Sequence, residues 1–206
     1  MKLKQNIMGQ FKNPHGLIGK VAGFVMANRS SNVERNMWTI KLLDLKPTDR
    51  LLEIGYGPGL AIEAASKRIT EGLIVGLDHS ETMLHQAKKR NQEAIQQGLV
   101  ELYLGTIDTL PAQCKLFDKI FSANVVQFWP NPTETFRKLK TLLAPGGIIS
   151  TTYMPRHSSA TNQDGERKAK EIEVQLKTAG FHQINIEVLP MKPISAYSVV
   201  AINHAQ

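Results

Sequence analysis

The sequence is poor in cysteine and in long apolar runs, and each shortage excludes a class of protein. Its single cysteine, Cys114, cannot form an internal disulfide or a multi-cysteine zinc site, and it favours a reducing compartment such as the cytoplasm. No apolar run approaches the ~20 residues that cross a bilayer, and the first residues lack a secretory pattern. We therefore expect a cytoplasmic globular protein with no transmembrane segment and no metal site.

The start of the chain is also poor in acidic residues, so the charge is unevenly distributed. The formal net charge is +7 over 206 residues, and the first 50 residues contain nine basic but only three acidic side chains. The rest of the chain is nearly neutral. The basic segment is either a solvated surface or a region that attracts an anionic substrate, RNA or a membrane surface.

What the sequence does contain is a glycine-rich turn after a short apolar strand. Residues Leu51 to Ile54 are followed by Gly55, Gly57 and Gly59, and an acidic residue, Glu53, precedes the first glycine. A helix-like run follows, so a ligand can approach unpaired N–H groups on a main chain without Cβ atoms. The pattern predicts a nucleotide-like ligand at the mouth of a parallel sheet, although a tight turn that binds nothing would show the same glycines.

The spacing of the glycines separates two kinds of cofactor. The dinucleotide fingerprint Gly-x-Gly-x-x-Gly requires a third glycine at the position of Leu60. The carboxylate of Glu53 would repel a pyrophosphate, but it would attract a cationic ligand with an amino group. S-adenosylmethionine carries a sulfonium and an ammonium group and no phosphate, so it is favoured over NAD.

Two later strand ends carry further groups suited to that ligand. The apolar run Leu73 to Leu77 ends in Asp78, where an acid at the end of a second strand can accept both ribose hydroxyls. A third run, Val100 to Leu104, is followed by Ile107 and Asp108. Ile107 offers a backbone N–H and an apolar wall to adenine, and Asp108 can accept its exocyclic amine.

With these stretches the chain resembles a class I S-adenosylmethionine-dependent methyltransferase. The matching stretches are the glycine turn, Asp78 with residues 79–84, Asp108, residues 124–129 and the Pro-Gly-Gly turn at 145–147. The resemblance runs from about Leu42 to the C-terminus. Within the class, the chain is most similar to small enzymes related to the ubiquinone/menaquinone C-methyltransferases.

The resemblance implies a set of cofactor-binding residues, with S-adenosylhomocysteine as the product. The acid and the glycines would surround the methionine moiety, and Asn124 would lie beside its end. The full set is Glu53, Gly55, Tyr56, Gly57, Gly59, Asp78, His79, Met83, Thr106, Ile107, Asp108 and Asn124. Tyr56 departs from the pattern, which usually has a small residue or cysteine there, and we expect it to pack over the cofactor or face the substrate. Pro58 also departs, and it removes one donor from the turn.

Strands and helices alternate from Leu51 onward, which predicts a three-layer α/β sandwich. One of the predicted helices runs from Glu81 to Gln97, with Ser80 as its cap and Gly98 as its end. The last two β runs, Phe181 to Val188 and Ile194 to Ile202, have no helix between them and should form a hairpin. We therefore expect a seven-stranded, mostly parallel, Rossmann-like sheet with an antiparallel last strand. Residues 47–206 would form the S-adenosylmethionine-binding catalytic domain.

Residues 1–46 are predicted to form a basic helical cap or lid. Two apolar stripes at helical spacing indicate two helices: Leu17, Ile18, Val21, Phe24 and Val25, then Val33, Met37, Ile40 and Leu43. No lid-sized insertion follows the fourth or fifth strand. We therefore expect this segment to exclude water from the site and to choose the substrate.

Methyl transfer is an in-line displacement that depends mainly on positioning, and a base is needed only when the nucleophile must lose a proton. His157, on the loop after the fifth strand, is the candidate base, although a histidine on a surface loop is more often idle. Phe128, Trp129 and Tyr153 are candidates for binding the acceptor, and Trp129 could instead fill the core.

Three functions are consistent with the sequence. The first is methyl transfer to a small-molecule acceptor, which the aromatic segment after strand four favours. The second is an RNA methyltransferase, which only the basic N-terminal segment favours. The third is a protein that binds S-adenosylmethionine without catalysis, and an NAD-dependent oxidoreductase is a distant fourth. The acceptor, the methylated atom and the oligomeric state stay open.

Overall fold

A seven-stranded sheet forms the centre of the fold. The structure, a computed structural model, describes residues 30–204. The strands are β1 (Arg50–Ile54), β2 (Leu73–Asp78), β3 (Val100–Leu104), β4 (Phe117–Ala123), β5 (Leu143–Tyr153), β6 (His182–Leu189) and β7 (Ala196–Ile202). Their order is β3-β2-β1-β4-β5-β7-β6. Among these seven strands of the described residues, only β7 is antiparallel to its neighbours. The predicted mostly parallel sheet with an antiparallel last strand is confirmed.

Helices cover both faces of this sheet. They are α1 (Ser30–Leu42), α2 (Leu60–Ala65), α3 (Glu81–Arg90), α4 (Gln92–Gln96), α5 (Pro132–Leu142) and α6 (Asn162–Thr178), with short 3₁₀ turns at Ile107–Thr109 and Val126–Phe128. One apolar layer lies between the sheet and helices α1 to α4, and the other lies between the sheet and helices α5 and α6. The three-layer sandwich predicted from the alternation is therefore confirmed.

The helix following β2 differs from its prediction. A single helix from Glu81 to Gln97 is expected from the sequence, but the structure has two, α3 and α4, separated at Asn91. The Asn91 side chain is buried, and its Nδ2 donates to the carbonyls of Gly59 at 3.1 Å and Ala87 at 3.0 Å. The hydrogen bonds of Asn91 at this break link the glycine turn to α3.

The face that α1 buries is the main correction to the sequence prediction. Val33 and Met37 of the predicted apolar stripe are 38% and 39% exposed, whereas Asn32, Arg35 and Thr39 are buried. Ile40 and Leu43 are buried as expected. The predicted first helix, at Leu17 to Val25, lies outside the described residues.

A row of hydroxyl groups explains why α1 buries polar side chains. Thr39 Oγ1 lies 2.9 Å from Thr152 Oγ1 of β5, and Thr152 Oγ1 donates to Ser198 Oγ of β7 at 3.0 Å. Since the strands present polar groups at this point, a polar helix face satisfies their hydrogen bonds and an apolar face would not.

The crevice between β1 and β4 is the point where the direction of the strand order reverses. From β1 the chain continues to β2 on one side, and from β4 it continues to β5 on the other. Ligands of open α/β sheets bind at such a point, outside the carboxyl ends of the strands. No helix within the described part of the chain has both the length and the apolar character needed to cross a membrane.

Candidate functional site

Two buried carboxyl groups lie at the carboxyl ends of β1 and β2. Glu53 is 3% exposed, and its Oε2 has no hydrogen-bond partner among residues 30–204. Burial, and secondarily the neighbouring Asp78, raise the pKa of Glu53 well above its usual value. An unsatisfied buried oxygen is costly, so this position suits a ligand that brings a cationic donor, such as the ammonium group of S-adenosylmethionine.

Asp78 is held by the backbone around it. Its Oδ2 accepts from Gly57 N and its Oδ1 from Ser80 N, each at 2.9 Å. Burial raises the pKa of Asp78, while these two hydrogen bonds oppose the increase. A carboxylate has about four lone-pair sites, so it can also accept the two ribose hydroxyls expected from the resemblance.

Gly55 and Gly57 need to lack a side chain for two different reasons. Gly55 has φ +76°, and a Cβ there would lie 2.4 Å from Val125 Cγ2, on the loop after β4. Gly57 has φ +52° and nothing within 4 Å of a Cβ position. Gly55 therefore lets the two loops of the crevice touch, whereas Gly57 leaves room for a ligand to approach the main chain.

Tyr56, the departure from the family pattern, is buried beside both acids. Its hydroxyl donates to the Tyr103 carbonyl at 3.3 Å. Burial raises the pKa of Tyr56, and the charges of Asp78 and Glu53 raise it further. The ring thus lies next to the carboxyl pair and packs into the apolar layer under α2.

The residues predicted to bind adenine lie in and beside the turn after β3. Ile107 and Asp108 belong to the 3₁₀ turn that Thr106 caps. The Asp108 side chain is 67% exposed, and its Oδ1 accepts from Lys138 Nζ of α5 at 2.5 Å. His79 follows Asp78 and is about half exposed, whereas Met83 is buried in α3.

Asn124 connects the ends of β4 and β5. It has φ +58°, which is unusual for a residue with a side chain. Its Nδ2 donates to the Met154 carbonyl at 3.2 Å, and its Oδ1 accepts from Met154 N at 2.7 Å. These reciprocal bonds hold Asn124 in the left-handed conformation, at the strand end where the resemblance places the methionine moiety.

Arg35 lies at the same strand end, and sequence reasoning missed it. Its Nη1 lies 4.0 Å from Met154 Sδ, and its Nη2 donates to Asn32 Oδ1 at 2.9 Å. The sequence does contain one sign of its position: Asn32, Arg35 and Thr39 recur at helical spacing, so they lie on one face of the helix. Such a stripe is normally interpreted as a solvated face, so the sequence alone did not identify it.

The candidate acceptor-binding residues lie in different surroundings. Phe128 is 38% exposed. The Trp129 ring packs edge-on against Phe136 of α5, with centroids 5.3 Å apart, and is a partly buried neighbour of the core. Tyr153 is half-buried on the same side of the sheet, and burial raises its pKa.

His157, the candidate base, is about half exposed on the loop after β5. Its Nδ1 lies 3.2 Å from Ser159 Oγ, and its Nε2 lies 3.9 Å from Asp164 Oδ2. Across residues 30–204 no three His, Cys, Asp or Glu side chains come together in a way that could hold a metal ion.

Comparison with known proteins identifies the family of this chain. A family model described as a methyltransferase domain matches residues 52–151. The uncharacterized methyltransferase YdaC of Bacillus subtilis (strain 168) is 32% identical over 173 residues, which are 84% of this chain and 92% of that protein. The demethylmenaquinone methyltransferase of Bacillus cereus is 30% identical over 112 residues, 54% of this chain and 47% of that protein.

A solved structure shows the same fold. The S-adenosylmethionine-dependent methyltransferase from Aquifex aeolicus superposes with a TM-score of 0.67 at 20% identity, covering 85% of this chain and 94% of that one. The fold and the pair of acids define a class I S-adenosylmethionine-dependent methyltransferase. The chain belongs to the methyltransferase-domain family, which confirms the resemblance and the cofactor expected from the sequence.

Proposed function

We propose that this methyltransferase transfers a methyl group to a small-molecule acceptor bound where β4 and β5 end. The observation that carries the proposal is the way α1 covers this edge, with Arg35 and Thr39 buried against β5. A covered strand end suits a small acceptor and excludes water from the reaction. A nucleic acid would instead require an extended, exposed basic surface.

The chain's own residues would hold the cofactor at the β1–β2 side of the crevice. Glu53 would bind the ammonium group, Asp78 the ribose hydroxyls, and the open main chain at Gly57 would lie against the ligand. When bound, S-adenosylmethionine supplies a methyl group on a positively charged sulfur. Since in-line transfer requires a well-positioned nucleophile, we propose that α1 and the loops after β4 and β5 orient the acceptor.

His157 is proposed as the base for an acceptor that must lose a proton. Asp164 Oδ2, 3.9 Å from its Nε2, can orient the imidazole. We expect H157A to lower kcat by about 10²-fold or more. An unchanged kcat in steady-state assays would show that His157 is not the base.

The test of the proposed function uses methyl-labelled cofactor with a metabolite extract and, separately, with total RNA from the same cells. We expect label in a small molecule, with formation of S-adenosylhomocysteine that depends on the extract. Label in RNA would support the second hypothesis instead. Absence of S-adenosylhomocysteine with every acceptor would leave a protein that only binds the cofactor.

A further inference from the structure

Arg35 is a buried guanidinium, and no acidic side chain within residues 30–204 neutralises it. It is 4% exposed, and it takes part in none of the salt bridges of that range. In the described part of the chain its side chain contacts a neutral amide oxygen at 2.9 Å and a thioether sulfur at 4.0 Å, and its Nε has no hydrogen-bond partner there. A buried charge without a counter-charge is costly to keep, so this position favours an anionic ligand.

A second cation lies beside the first. Arg156, on the loop after β5, donates to the same oxygen of Asn32 that Arg35 contacts. Burial, and then the charge of Arg156, lower the pKa of Arg35 to about 9, so Arg35 remains protonated at neutral pH. Arg156 is exposed, which marks the side from which a solute can reach the pair.

The two arginines lie on the acceptor side of the crevice. Arg35 contacts Met154, and the backbone of Met154 is bonded in both directions to Asn124 at the end of β4. The acidic residues that suit the cofactor lie at the ends of β1 and β2 instead. The methionine end of S-adenosylmethionine carries a carboxylate of its own, so two anions compete for this position: that carboxylate and an anionic group of the acceptor.

Resting on the proposed small-molecule acceptor, we propose that this acceptor carries an oxyanion, a carboxylate or a phosphate, and that Arg35 binds it. The planar guanidinium matches both groups with two parallel hydrogen bonds. The unpartnered Nε belongs to such a donor edge. Because Arg35 is screened from water, the pairing is stronger there than at an exposed arginine.

If Arg35 served only to stabilise the fold, replacing it would lower the Tm. Replacing a buried ion by an apolar side chain of similar volume is often neutral or stabilising when no partner charge is left behind. We therefore expect R35M to fold with an unchanged or raised Tm, because the uncompensated charge is gone. R35K keeps the charge without the planar fork and serves as the second variant.

The first experiment measures anion binding without any turnover. Inorganic phosphate and succinate are titrated by calorimetry at constant ionic strength into the wild-type protein, R35M, R35K and R137M. R137M removes an exposed arginine of α5. We expect one of the two anions to bind the wild type and R137M equally, R35K more weakly, and R35M at least tenfold more weakly, as loss of a charge-assisted hydrogen bond predicts.

The two probes distinguish the sources of the oxyanion. Tighter binding of succinate indicates a carboxylate acceptor, and tighter binding of phosphate indicates a phosphorylated one. Equal binding to wild type and R35M would overturn the proposal, as would the absence of binding of either anion to the wild type up to millimolar concentration. Titration with S-adenosylmethionine should give equal affinities in the wild type and R35M. A tenfold loss in R35M would also overturn the proposal, because the anion that Arg35 binds would then be the carboxylate of the cofactor.

The second experiment divides the metabolite extract on an anion exchanger before the labelling reaction. We expect the acceptor in the retained fraction and a KM at least tenfold higher in R35M. An acceptor in the unretained fraction that R35M methylates as well as the wild type would overturn the anionic subsite but leave the proposed function intact. Label only in RNA, with Arg35-dependent anion binding preserved, would overturn the proposed function instead.

Discussion

The two sides of the crevice bury ionisable groups of opposite kinds, carboxyl groups on one side and a guanidinium on the other. At the ends of β1 and β2 the buried ionisable groups are Glu53 and Asp78, whereas beside the end of β5 the buried group is Arg35. Among the described residues, one buried polar atom on each side has no hydrogen-bond partner: Glu53 Oε2 on the acidic side and Arg35 Nε on the basic side. This contrast supports the proposal that one cleft holds a cationic methyl donor and an anionic acceptor.

The largest expected effect comes from a contact between the two sides. G55A places a Cβ 2.4 Å from Val125 in a backbone with φ +76°. Left-handed strain costs about 1–2 kcal/mol, and the overlap adds about 1–3 kcal/mol. The free energy of unfolding, measured in urea, should fall by the sum of these two costs.

Gly98 provides the control for that change, since it has φ +73° and nothing within 4 Å of a Cβ position. We expect G98A to lose only the strain component and V125A to recover part of the loss in G55A. Equal losses in G55A and G98A would show that the two loops do not press on each other.

On the acidic side, D78A should weaken cofactor binding by about 1–3 kcal/mol, because it removes charge-assisted hydrogen bonds. Calorimetric titration with S-adenosylmethionine measures the change. D118A is the matched control, since Asp118 also accepts a backbone N–H, that of Arg50 at 2.8 Å, but at the amino end of the strands. If both variants bind the cofactor like the wild type, the ribose assignment of Asp78 is wrong.

Glu53 should make stability and cofactor binding depend on pH. Its pKa is raised in the folded state, so between the unfolded value of about 4.3 and the folded value the native state binds more protons. Stability of the unliganded protein therefore falls as pH rises through that window. E53Q should remove this fall, as urea unfolding at several pH values would show.

The same carboxyl group should release a proton when the cationic cofactor binds. We expect the binding enthalpy of the wild type to change with the ionisation enthalpy of the buffer, and that of E53Q to change less. E53Q should also bind the cofactor about 1–2 kcal/mol more weakly. Proton release that is identical in E53Q would place the titrating group elsewhere.

The smallest expected effect concerns the adenine side. The Asp108–Lys138 pair is largely exposed, so its loss should change stability by about 1 kcal/mol or less. D108N should weaken cofactor binding a few-fold, whereas K138M removes the same ion pair and should leave affinity unchanged. Equal affinities in D108N and K138M would argue against a contact between Asp108 and adenine.

Much of the acidic side could be predicted from the sequence because its signals are local. Glu53 precedes the glycines on one strand, and Asp78 ends the next strand along the chain. In a parallel sheet, consecutive strand ends meet at one edge. Alternation of strands and helices was likewise enough to predict the three layers and the final hairpin.

The basic side could not be predicted, because its signals are not local. Val33 and Met37 match an apolar stripe, yet both are more than a third exposed. Trp129 follows β4, and its ring packs edge-on against Phe136 of α5. In each case the packing partner, which the local pattern does not contain, decided the orientation.

By itself, then, the sequence determined the order of strands and helices, the turn and the acids that suit the cofactor, since those depend on neighbours in the chain. Only the tertiary structure decided which face α1 buries and where Arg35 lies. The partner of Thr39 is Thr152, 113 residues further along the chain. A helix has several possible faces, and the hydrogen-bonding groups of the surface it packs against select one.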